Sequence, residues 1–172
     1  MVLIASNTQD CRHLKMFQLP IDRSGGMIIM THLKSIEILL VEDDPADSEL
    51  TSEALKDSKM RVNLTVVDDG VKAMKFLNQE APYTDACRPD LVILDLNLPR
   101  KNGREVLQEI KNDENLRSIP VCILTTSNDA LDIKKCYEWG ANCWITKPIG
   151  LKEFSRIVGS IQDFWFTVVK LP

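Results

Sequence analysis

The 172-residue sequence has two histidines, and its five cysteines (Cys11, Cys87, Cys122, Cys136 and Cys143) include no pair at C-x-x-C spacing. Neither a zinc site nor a disulfide framework is expected. Cys122 and Cys143 lie inside apolar runs, where a free cysteine is ordinarily a small core residue, and such usage fits a reducing cytoplasm. A basic surplus is also missing. Lys plus Arg number 21 against 25 Asp plus Glu, a net charge of −4, whereas a sequence-independent nucleic-acid binder needs cations to neutralise phosphates. No run approaches the roughly 20 apolar residues of a membrane span. The N-terminus, MVLIASNTQDCRHLK, lacks the basic start and long apolar stretch of a signal peptide. There is no internal repeat, no low-complexity segment, and at 19.5 kDa no room for a second large catalytic domain.

What remains is an ordinary globular composition, 44% hydrophobic and 27% charged, which argues for one soluble core rather than a disordered chain. Residues 1–34 show no sustained periodicity and contain the SGG turn at Ser24–Gly26. They are expected to be a disordered tail, or leading residues upstream of a true start at Met27 or Met30. From Ile36 onward, short apolar runs alternate with amphipathic segments. The runs are Ile36–Val41, Val62–Val67, Leu91–Leu94, Val121–Leu124 and Asn142–Ile145. Nearly continuous Val, Ile and Leu without in/out alternation is the pattern of parallel strands buried on both faces. Between them, Ala46–Ser58, Val71–Asn78, Arg104–Asn112 and Leu131–Trp139 carry apolar residues at helical spacing. A last helix runs from about Leu151 past Phe164. The reading is an α/β fold, a flavodoxin-like (βα)5 doubly wound sheet of five parallel strands.

Ligands of such folds bind at the carboxyl edge of the sheet, so the residues that follow each run matter most. The first run ends in Glu42, Asp43 and Asp44, the third in Asp95, the fourth in Thr125 and the fifth in Lys147 before Pro148. Converging acids repel one another, and a divalent cation relieves the repulsion. All-oxygen donors suit Mg²⁺ rather than zinc. Glu42, Asp43 and Asp95 are then balanced by Mg²⁺ together with Lys147. A phosphoryl group arriving on Asp95 would meet the metal on one side and Thr125 and Lys147 on the other, an electrostatic cradle for phosphoryl transfer. Some residues nearby have plainer readings. Asp44, just before Pro45, fits a helix cap. Gly103 after Asn102 fits a tight turn that permits positive φ. Trp144 fits core packing as well as any special role.

The segments ILLVEDD, LVILDLNLPRKNG, PVCILTT and WITKP, in this order and each at a strand end, resemble the receiver domains of two-component response regulators from Ile36 to about Ile161. The resemblance implies that Asp95 is the phosphoacceptor, Asp43 a direct Mg²⁺ ligand, and Glu42 an acidic partner acting through water. It implies that Asn97 supplies a backbone carbonyl to the metal, that Thr125 and Lys147 contact the phosphoryl, and that Trp144 is the aromatic switch residue. A sensor histidine kinase would be the donor. Thr126 departs from the family, which favours a small residue after the hydroxyl, and slower phosphoryl access is expected. The last segment, LKEFSRIVGSIQDFWFTVVKLP, stays apolar beyond the stripe one helix needs. Residues 35–162 are read as the receiver and 163–172 as an apolar extension of its last helix. No output domain is expected, and a homodimer through the C-terminal helix is. That ending, with the loop APYTDACRPD, resembles the single-domain regulators associated with cyanobacterial phytochromes. Two alternatives are a phosphorylation-independent pseudo-receiver and an aspartyl-phosphate hydrolase. The intact acid set argues against the first, and Asn97, standing where such hydrolases place a second acid, argues against the other.

Overall fold

The computed structural model describes residues 35–56 and 61–169. Five parallel strands form one sheet: β1 (Ile36–Val41), β2 (Val62–Val67), β3 (Leu91–Leu94), β4 (Val121–Thr125) and β5 (Cys143–Thr146), in the order β2-β1-β3-β4-β5. The helices are α1 (Pro45–Lys56), α2 (Gly70–Leu77), α3 (Gly103–Asn112), α4 (Ala130–Glu138) and α5 (Leu151–Asp163). The expected flavodoxin-like fold is the one observed. The supposed N-terminal tail, its methionines and Leu171 lie outside the described residues.

Successive strand residues point to opposite faces, and this divides the core in two. Leu39 and Val41 of β1 pack with Ala73, Val106, Leu107, Ile110 and Cys136 beneath α2, α3 and α4. Ile38 and Leu40 pack with Leu55, Phe154, Val158 and Ile161 beneath α1 and α5. Burial on both faces holds for β1, β3 and β4 but not for the edges, where β2 alternates with solvent and every residue of β5 is at least partly accessible. An edge strand has a neighbour on one side only; in β2, Asn63 and Thr65 interrupt the apolar residues, and in β5 the reading as a strand buried on both faces overstates its burial.

Local signals explain where the helices start. Asp44 Oδ1 accepts from the backbone N–H of Ala46 (2.7 Å) and Asp47 (3.3 Å), as a capping residue should. Asn102 and Glu105 form a reciprocal capping box at α3. Gly103 corrects its sequence reading. The positive-φ residue of this loop is Arg100, at 65°, and a side chain at Gly103 would put its Cβ 2.0 Å from the carbonyl oxygen of Asp95. Glycine is required here because α3 begins pressed against the backbone that carries Asp95.

The end of the chain also differs from a plain extension. After Asp163 the helix widens into a π-helix, η1 (Phe164–Val168), which turns Trp165 into the α1/α5 core at 7% exposure, with Phe166 and Val169 packed partly behind it. Phe164 and Val168 stay exposed. The cluster therefore divides between intramolecular packing and surface. None of the described helices is long and apolar enough to cross a membrane.

Candidate phosphoryl-transfer site

The sheet delivers its strand-end residues to one place. Glu42 follows β1 with its N–H on the carbonyl of Val67 (3.0 Å), and Asp95 follows β3 with its N–H on that of Val41 (3.0 Å). Lys147 follows β5 with its N–H on that of Thr125 (2.8 Å). The ladder thus continues one residue past each strand and fixes the direction of each side chain. Glu42, Asp95, Thr125 and Lys147 are buried, while Asp43 is exposed at the mouth.

Lys147 Nζ is the hub, 2.5 Å from Glu42, 2.7 Å from Asp95 and 2.8 Å from Asp47. One cation is shared among three acids, so each acid depends on its other partners. Burial raises the pKa of Asp95, but Lys147, the Asn97 N–H at 3.1 Å and the Thr125 hydroxyl more than offset it and hold the carboxyl below the ordinary range. Glu42 has less help. Burial outweighs Lys147 there and pushes the carboxyl up to about 7. Lys147 itself is disfavoured as a cation by burial but held well above the ordinary lysine value by its three carboxylates.

Carboxylate oxygens of Glu42, Asp43 and Asp95 lie within 4.8 Å of one another. A hard divalent cation fits this donor set, since three oxygens converge and no thiol or imidazole takes part. From Glu42 and Asp43 an open cleft of about 250 Å³ continues over the end of β2 past Asp68, Lys72 and Tyr83.

The model of the response regulator receiver domain family matches residues 38–159. The chain belongs to this family. It is 48% identical over 135 residues to the response regulator Rcp1 of Synechocystis sp., covering 78% of this chain and 92% of that relative. Two solved structures resemble this receiver, each at 47% identity and covering 80% of this chain and 99% of theirs. One is the Mn²⁺-bound form of Rcp1, with a TM-score of 0.77. The other is the phosphorylated cyanobacterial phytochrome response regulator RcpA, with a TM-score of 0.78.

Of the strand-end residues singled out in the sequence, Glu42, Asp43, Asp95, Thr125 and Lys147 gather in the receiver's pocket, with Asn97 on the loop beyond Asp95, whereas Asp44 caps α1. Trp144 stands apart from the acids. It is half-buried against the α2/α3/α4 core, its backbone N–H donates to the Tyr137 hydroxyl (3.1 Å), and its indole N–H is buried without a hydrogen-bond partner. Asp47 was not foreseen. It lies in the first turn of α1 rather than at a strand end, and the signal available was an acid three residues after the capping Asp44, facing the same edge. With Asp47 the pocket holds four acids, three of them on Lys147.

Proposed function

We propose that Asp95 accepts a phosphoryl group from the phosphohistidine of a sensor histidine kinase. The observation that carries this reading is the buried Asp95 carboxylate, kept ionised and oriented by Lys147 at 2.7 Å, at the edge where Thr125 is also placed. One Asp95 oxygen attacks phosphorus in line, the P–N bond breaks, and the imidazole leaves. The Lys147 ammonium and Thr125 hydroxyl neutralise charge on the phosphoryl oxygens. Mg²⁺, held by Glu42, Asp43, Asp95 and the Asn97 carbonyl, supplies Lewis-acid stabilisation when bound. Lys147 gives up part of its bonding to Asp95 as the group arrives, and β5 transmits the change to Trp144, the switch residue. Slow hydrolysis in the same pocket resets the state. A pseudo-receiver has no use for four mutually repelling acids.

The working unit of this proposal is residues 35–162, to whose core η1 adds Trp165, with 1–34 outside it. The protein acts in the cytoplasm without nucleic-acid contacts, and likeness to RcpA, a cyanobacterial phytochrome response regulator, supports a phytochrome-type kinase as donor. The exposed Phe164 and Val168 are the proposed homodimer contact. The test of the central claim is phosphorylation of the purified chain by acetyl phosphate. Incorporation is expected in Mg²⁺, and none in EDTA or in Asp95→Asn. Equal incorporation in EDTA, or retention in Asp95→Asn, overturns the site.

A further inference from the structure

Away from the acids, on the α1/α5 side of the sheet, two thiols meet. Cys122 and Cys143 are register partners on the neighbouring parallel strands β4 and β5, and their sulfurs lie 2.7 Å apart as free thiols. In-register residues on adjacent strands are about 4.8 Å apart, inside the roughly 4.4–6.8 Å Cα span that a disulfide bridges. Register and sulfur separation place the pair within reach of a bond. We propose that Cys122 and Cys143 form a reversible intrachain disulfide in response to a peroxide-class oxidant, a covalent modification site separate from the phosphoryl pocket.

The environments of the two sulfurs assign their roles. Cys122 is fully buried, and its hydrogen bond to Cys143 together with burial holds its thiol well above the ordinary value. Cys143 is half-buried on the edge strand, and the hydrogen bond from Cys122, with a further one from Trp165, lowers its pKa against the effect of burial. Cys143, the more accessible of the two, is therefore the sulfur that meets the oxidant, and Cys122 the resolving thiol. The Cys143 sulfur attacks one peroxide oxygen, the O–O bond breaks, and a sulfenic acid forms as water leaves. Cys122 then attacks the Cys143 sulfur, its proton goes with the departing hydroxyl as a second water, and the S–S bond closes. Two thiols lose two electrons and one peroxide gains them. The bond staples β4 to β5 and replaces the thiol that Trp165 bonds, so it also reaches the docking of η1.

The test uses the full chain, exposed to hydrogen peroxide, denatured, alkylated with N-ethylmaleimide and mapped by mass spectrometry. The peptides bearing Cys122 and Cys143 are expected joined, lighter by two hydrogens than their sum, and separated again by dithiothreitol. In Cys122→Ser a sulfenic acid should persist on Cys143 and be captured by dimedone, while Cys143→Ser leaves Cys122 as alkylatable as before treatment. Full alkylation of both residues after peroxide, or cross-links joining other cysteines or separate chains instead, overturns the proposal. The map of the unmutated chain decides the matter even where Cys122→Ser, in the core, does not fold.

Discussion

Lys147 holds the pocket together before any phosphoryl group arrives, because it is the cation that offsets Glu42, Asp47 and Asp95 at once. Removing one member of a buried ion cluster leaves the others uncompensated, at a typical cost of about 3–5 kcal/mol. Lys147→Ala should thus lower the urea midpoint of the metal-free protein strongly and lose less in Mg²⁺, which takes over part of the charge. An unchanged metal-free midpoint would show that the lysine holds nothing in the resting state. The lysine was legible in the sequence because a cation before proline at a strand end, opposite acids, has few other uses. Asp47 was not, since an acid in a first helical turn is ordinary on dipole grounds alone and only the tertiary fold swings it onto Lys147. Gly103 was noticed for the wrong reason. Its steric demand comes from Asp95, eight positions earlier, and local turn chemistry carries no trace of that contact.

Between elements, the described ion pairs are unequal in kind. Some join near neighbours on exposed surfaces, such as Lys56 with Glu53 and Lys134 with Glu138, whereas Arg104 at the start of α3 grips Asp132 in the first turn of α4 with two donors, Nε at 3.0 Å and a terminal nitrogen on the other oxygen. Ser127 of the β4–α4 loop adds a hydroxyl at 3.4 Å. The pair ties α4 to α3 beyond Thr125. Arg104 is the main cause that holds the Asp132 carboxyl below its ordinary 3.8. The unfolded chain therefore binds the proton more readily, so the stabilisation is fully present above 3.8 and disappears as pH falls through the lower folded value. Asp132→Asn should lose about 1 kcal/mol at pH 7, a figure kept small by partial exposure. The gap in urea midpoint between variant and native protein should then narrow as pH falls below 3.8; a gap of constant size down the series would mean that the carboxylate charge is not what matters. At this scale the sequence conveyed β1, β3 and β4 well, because burial on both faces leaves an unbroken apolar run. It conveyed the edge strands β2 and β5 less well, and not η1, where one extra residue per turn changes which side chains face inward.

For the whole molecule, η1 decides how much apolar surface remains for a second chain. Seven large apolar residues in the final twelve positions exceed what one helical stripe uses, but the π-turn consumes Trp165 and partly covers Phe166 and Val169. Phe164 and Val168 remain, 52% and 72% exposed, on adjoining turns, with the Phe164 ring edge-on to Trp165 at 5.3 Å. Burying such side chains contributes about 1.5–3 kcal/mol each, and a twofold contact counts each of them twice against one cost of association. Cutting the chain after Gln162 is a poor test, because it would also remove Trp165 from the core. Phe164→Ser with Val168→Ser removes the exposed pair and leaves Trp165 in the core. The full chain should sediment as a dimer at micromolar concentration and the double variant as a monomer, with the unfolding midpoint of the isolated subunit little changed. If both sediment as monomers, with and without acetyl phosphate and Mg²⁺, the two side chains are ordinary surface and the signal leaves this receiver by another face.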